Sequence, residues 1–225
     1  MPALLPHITI ETAPAPTAAV IWLHGLGADG NDFAPLVPQL DLAGCQSIRF
    51  IFPHAPSMPV SINGGYVMPA WYDIRTPDLV RQEDATGIRR SAQQIEALIA
   101  QEVARGIKPG NIVLAGFSQG CAMALHTGLR HPARLAGIMA LSGYLPLADT
   151  LACERSAANQ DSPIFMAHGM ADPVVVISRA EASRQALVKL GYPVQWLTYP
   201  MPHSVHPKEV DDIGRFLQLV LGRAS

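Results

Sequence analysis

The chain has 225 residues, 49% of them apolar and only 15% charged, with a formal net charge of -2 at neutral pH. That length suits a single domain spanning 1–225, and the low charge density points to a well-buried, sheet-rich interior. The absence of a basic run argues against nucleic acid and anionic lipid as partners, and three cysteines without C-x-x-C spacing argue against a disulfide framework.

No basic, long-apolar leader opens the sequence, and the apolar run from Ala18 to Leu23 is far too short for a membrane span. A cytoplasmic protein without stable membrane insertion is therefore expected. Residues 19–23 read as a strand covered on both faces. A second strand follows at 47–52 and stops at Pro53. From Asp84 to Arg105, Ile88, Ala92, Ile95, Ile99 and Val103 recur at helical spacing, and Gly106 is placed to end that helix. Residues 111–115 form the next apolar strand. A helix follows it and must stop near Arg130, ahead of His131-Pro132.

Two more buried strands are expected at 137–141 and 164–167, a helix at 178–190 closed by Gly191, and a strand at 194–199. A last helix from Pro207 carries Val210, Ile213, Phe216, Leu217 and Val220 on one face. Such alternation predicts an α/β fold: a three-layer αβα arrangement with a mostly parallel central sheet.

In a sheet of this kind, ligands bind beyond the carboxyl ends of the strands. After the strand at 111–115 stands Gly116-Phe117-Ser118-Gln119-Gly120. This G-x-S-x-G lies between a strand and a helix, where a sharp turn would present the Ser118 hydroxyl and a Cβ at either glycine would crowd it. After 164–167 comes Asp172, and after 194–199 come His203 and His206. Ser, then Asp, then His is the order found in α/β-hydrolases.

Each of these residues has an alternative role. Asp172 could simply cap the following helix, since Asp before Pro often starts one, and the two roles would compete for one carboxylate. His206 precedes Pro207 and reads as the N-cap of the last helix. There the helix dipole disfavours the imidazolium that a general base must become, so His203 is the better base.

Gly25-Leu26-Gly27-Ala28-Asp29-Gly30 spells G-x-G-x-x-G after the first strand. Pro35 and Pro38 would break the helix that a dinucleotide site needs, and the second strand lacks a ribose-binding acid. These glycines more plausibly let the loop approach Ser118. The N–H groups of Leu26 and Gln119 could then form an oxyanion hole, with His24 holding that loop in place. No metal-ligand spacing is convincing, and no cofactor is called for.

The stretch from Pro53 to Asp84 reads as a long Pro- and Gly-rich loop with little helical pattern. Loops of that length in a compact domain usually serve function. Met68 and Trp71 are its candidate substrate contacts, lining an apolar acyl groove. Packing against the sheet is the alternative for Trp71, and the whole segment could instead act as a lid.

The chain resembles the bacterial carboxylesterases that are homologous to acyl-protein thioesterases and lysophospholipase-like enzymes. Residues 22–29, 52–56, 63–66, 71–73 and 116–120 carry the resemblance. So do His168-Gly169 with Asp172-Pro173-Val174, and Met201-Pro202-His203-Ser204. It covers nearly the whole chain. It implies an α/β-hydrolase without a large cap domain, the triad Ser118, Asp172 and His203, oxyanion donors at Leu26 and Gln119, and family members that are often homodimers. Pro202 departs from the glycine that many relatives carry there, which implies a local difference in the loop.

The expected activity is hydrolysis of small to medium-chain carboxylic esters. The alternatives are release of long acyl chains as a thioesterase or lysophospholipase, and a binding protein that has kept the fold without turnover.

Overall fold

The computed structural model describes residues 4–76 and 82–222. Among them the central sheet has the order β1-β3-β2-β6-β7-β8-β9. Its strands are β1 (His7–Glu11), β2 (Ala18–Leu23), β3 (Ile48–Pro53), β6 (Ile112–Phe117), β7 (Gly137–Leu141), β8 (Ile164–Gly169) and β9 (Val194–Tyr199). All neighbours pair in parallel except β1, which runs antiparallel to β3 at one edge.

Every residue of β2 is buried, yet its side chains still alternate between two cores. Ala19, Ile21 and Leu23 enter one core, while Ala18, Val20 and Trp22 enter the other. The first core is covered by α1 (Ala85–Ala104) and α2 (Gln119–Gly128), and it also takes in Leu151 of α3 (Ala148–Glu154) and Leu187 of α4 (Ile177–Lys189). The second is covered by α5 (Pro207–Leu221) through Val210, Ile213, Phe216 and Leu217. The expected three layers are thus present.

Local signals end the elements where expected. Asp84 caps α1 by accepting from the Gly87 N–H, and beyond its C-terminus Gly106 adopts φ 97°. Val103, placed on the buried face by spacing, is 40% exposed, and Leu98 fills the core instead. Where a dinucleotide site would need a long helix, residues 34–39 form only a 3-10 turn containing Pro38.

Two features depart from the sequence reading. Strand β1 is a short half-exposed edge whose alternation is weak, and it was not anticipated. The 53–84 segment is not a plain loop. It contains a hairpin of β4 (Ser57–Val60) and β5 (Tyr66–Pro69), joined by a 3-10 turn at Ser61–Asn63. Residues 77–81 of this segment lie outside the described part of the chain.

The chain passes from β2 to β3 on one side and later returns to β6 on the other. Connections therefore diverge between β2 and β6, which leaves a crevice at their carboxyl ends. Leu23 pairs with Gly116 there, so the loops after these two strands rise side by side.

Candidate active site

Ser118 follows β6 with φ 56° and ψ -117°, a region that L residues rarely occupy. The turn is held by its surroundings. The Ser118 N–H donates to Leu141 O at 2.9 Å, continuing the ladder with β7. A Cβ at Gly116 would overlap the backbone of Gly120, and one at Gly120 would overlap the Leu23 carbonyl. Both glycines are therefore required by close backbone approach. The serine side chain, half-buried, projects from the sheet rim.

Asp172 and His203 reach the same rim from the adjacent strands β8 and β9. Their loops are tied by Met170 N–H to Tyr199 O at 2.9 Å and Ala171 N–H to Met201 O at 3.1 Å. Gly169 has room only for hydrogen against the Met201 and Pro202 carbonyls. Pro202 thus lies in a tightly docked loop, and its neighbour His203 is aimed at both partners. His203 Nδ1 donates to Asp172 Oδ2 at 2.6 Å, and its Nε2 lies 2.9 Å from Ser118 Oγ. The ring also packs on Phe117, with centroids 4.8 Å apart.

Asp172 resolves the competition raised by its sequence context. Its Oδ1 accepts the N–H groups of Val174 and Val175 at 2.8 and 2.9 Å, while Oδ2 faces the histidine. The carboxylate therefore serves the histidine with one oxygen and two backbone amides with the other, without capping the helix itself. It stabilises the turn before α4, whose actual N-cap is Val176. Beneath it lies the buried His168, whose Nε2 bonds Val175 O at 2.7 Å and stands 3.5 Å from Asp172 Oδ2. Burial pushes the His168 pKa down, which favours a neutral ring there.

His206 sits at the N-cap of α5. Its Nδ1 accepts from the Lys208 N–H at 3.1 Å, and Glu209 closes a capping box. The ring is thus turned to the helix, which leaves His203 as the histidine at the serine.

The loop after β2 lies against the serine. A Cβ on Gly25 would stand 3.4 Å from Ser118 Cβ, and Gly27 adopts φ 76°. His24 is buried and holds this loop through both nitrogens: Nδ1 bonds Gly25 O at 2.7 Å, and Nε2 accepts from Ala55 N–H at 3.0 Å. Burial is the main cause of its lowered pKa. Among the described residues, no group accepts the N–H of Leu26 or of Gln119. Gln119 is the first residue of α2, a position whose N–H has no acceptor within the helix.

The two proposed groove residues separate. Met68 is half-buried near this loop; a Cβ on Gly27 would lie 3.5 Å from its sulfur, and Gly27 N–H donates to Pro69 O at 2.9 Å. Trp71 is corrected: it has no exposed surface and lines no open wall. Its indole N–H donates to His24 O at 2.9 Å, and its carbonyl accepts from Ser91 Oγ. A buried indole needs a partner for its one polar atom, and His24 O supplies it.

Sequence reasoning missed the Gln119 side chain. It is buried, with Oε1 accepting from Trp71 N–H and Nε2 donating to Tyr72 O, both at 2.8 Å. This fastens the segment after the hairpin to the turn that carries Ser118. A polar side chain opening a helix whose next six residues, Gly120 to Leu125, are glycine or apolar was the available signal.

Serine, aspartate and histidine in this chain order, gathered at one rim of a mostly parallel sheet, define the α/β-hydrolase fold. Residues 6–221 match the Phospholipase/Carboxylesterase family, and the chain belongs to that family of serine hydrolases. It is 41% identical to the acyl-protein thioesterase 1 of Gibberella zeae over 220 residues, covering 94% of each chain. It is 39% identical to that of Schizosaccharomyces pombe over 225 residues, covering 99% of each. The crystal structure of acyl-protein thioesterase 2 from Zea mays superposes with a TM-score of 0.82 at 31% identity, covering 96% of this chain and 99% of that one. These relatives are eukaryotic, so they support the family in the resemblance but not its bacterial part. Among the described residues, no helix is long and apolar enough to cross a membrane.

Proposed function

We propose that this serine hydrolase releases acyl chains from thioesters, in the manner its relatives' names describe, with Ser118 as nucleophile. The observation that carries the reading is the continuous relay from Asp172 Oδ2 through His203 to Ser118 Oγ, at 2.6 and 2.9 Å. Neutral His203 takes the hydroxyl proton as Ser118 Oγ attacks the acyl carbon. Asp172 holds the tautomer with the proton on Nδ1 and stabilises the imidazolium that forms. The N–H groups of Leu26 and Gln119 receive the developing oxyanion, each such donor typically lowering the barrier by about 3 kcal/mol. His203 then protonates the leaving sulfur or oxygen, and water repeats the cycle to free the acid.

The expectation of small to medium-chain ester hydrolysis is moved to second place. Relatives over essentially the full length, at 39–41% identity, are named acyl-protein thioesterases. The chemistry is the same for both readings, and the acyl-side wall, which we assign to Met68, would decide between them.

Labelling with a fluorophosphonate tests the nucleophile: the wild type should be modified once, and Ser118→Ala not at all. Thioesters and oxyesters of matched acyl length from two to sixteen carbons test the substrate. A kcat/KM that rises with chain length on the thioester series supports our reading, and a maximum at acetate or butyrate oxyesters overturns it.

A further inference from the structure

The mechanism proposed above has His203 hand its proton to the departing group, so that group must lie on the histidine's side of Ser118. A cleft of about 320 Å³ opens there, with His203 itself in its wall. The other walls include Phe117, Phe33, Leu36, Gln39 and Asp32. Phe33 and Phe117 belong with the core on the α5 face of the sheet. Trp71 and Tyr72, at the end of the hairpin segment that carries Met68, belong with the core on the opposite face. The serine therefore stands between an acyl side and a separate cavity.

The charge of this cavity is one-sided. Asp32 is the only acidic residue among those that line it, and neither lysine nor arginine is among them. The Asp32 carboxylate is exposed and, among the described residues, joins no ion pair and accepts no hydrogen bond. Two aromatic rings, Phe33 and Phe117, stand with centroids 5.4 Å apart in the same wall. Phe33 is itself buried and stacked on Trp22, and Phe117 packs on His203, so the rings give the cavity an apolar wall while the carboxylate attracts a cation by Coulomb attraction.

We infer that this cavity is the leaving-group subsite and that Asp32 makes it select thiols or alcohols that carry a positive charge. The inference rests on the hydrolase reading above. As the acyl C–S bond breaks, its electron pair stays on sulfur and the proton arrives from His203 Nε2. The cation is not consumed; it only holds the leaving group in reach of that proton.

The test uses two thioesters with the same octanoyl group. One releases thiocholine, and the other its uncharged isostere, 3,3-dimethylbutanethiol. For the wild type at low salt, kcat/KM should favour the cationic ester about fivefold, as expected of one partly exposed charge pair. That ratio should fall toward 1 in 0.5 M salt. Asp32→Asn should bring it to about 1, and Asp32→Lys should invert it. Because the readout is a ratio within each variant, a variant with less folded enzyme still reports. A wild-type ratio of 1 or below, or a ratio that survives Asp32→Asn, overturns the inference while leaving the hydrolase reading intact. If neither thioester is hydrolysed, both fall together.

Discussion

Two regions meet at Ser118, and they are built on different principles. The rim at the β2–β6 crevice is made of backbone. Gly116 and Gly120 are there because the backbone of neighbouring turns occupies the space a side chain would need. The hairpin segment at 57–76 has its own two-stranded ladder and is tied to the rest by a few reaching hydrogen bonds, many of them from side chains, such as Gln119 to Trp71 and Tyr72. The first arrangement tolerates almost no change and suits chemistry that depends on tenths of an ångström. The second can repack, which suits a wall that must accept acyl chains of several lengths.

The sharpest way to break this contrast is Gly120→Ala. The new methyl would meet Leu23 O and push the first turn of α2 away from β2, moving the Gln119 N–H and Ser118 together. We expect kcat/KM to fall by more than about a hundredfold on every substrate, short or long. A variant within a few fold of wild type would show that the rim is not rigid.

A chain-length-dependent loss is expected of Met68→Glu. A carboxylate in a half-buried wall would lower kcat/KM for long acyl thioesters about tenfold and leave acetyl thioesters nearly unchanged. Equal losses on both would remove Met68 from the acyl side.

The smallest expected effect concerns stability. His126 is buried in the last turn of α2, and desolvation, aided by the nearby Arg130 charge, pushes its pKa down to about 3 from an ordinary 6.5. The folded state therefore keeps this ring neutral while the unfolded chain protonates it. Its contribution is complete above pH 6.5 and is lost as pH falls toward 3, amounting to about 2 kcal/mol by pH 5. In a thermal melt series, His126→Gln should lose less stability than wild type between pH 7.5 and pH 5. Parallel curves would contradict this account. His24 and His168 shift in the same direction and add to the wild-type acid sensitivity that both proteins retain.

The same contrast explains what was legible in the sequence. Ser118, Asp172 and His203 could be read because strand ends, a G-x-S-x-G and chain order are local signals. His206 could be set aside because Pro207 marks a helix start. Five of the six parallel strands stood out as largely apolar, buried runs, and the sixth, the edge strand β9, was legible from its β-branched and aromatic residues although Gln195 and Thr198 are exposed. Strand β1 did not stand out, because an edge strand carries only half of that pattern. The hairpin was hidden by Pro59, Gly64, Gly65 and Pro69, residues that usually signal loops. Trp71 was misread because nothing near it in the sequence announces a hydrogen bond to His24, 47 residues away. The division of labour within Asp172 was equally invisible, since composition cannot show that two oxygens of one group point in different directions.

That division has a consequence for how the site rests between turnovers. With one oxygen engaged by two amides, the carboxylate cannot swivel, and only a single acceptor remains for the ring opposite. The imidazole is thereby confined to one protonation isomer, whose bare nitrogen already faces the hydroxyl. No rearrangement of hydrogens has to precede the first bond-making event, so the waiting enzyme is armed before any acyl chain arrives.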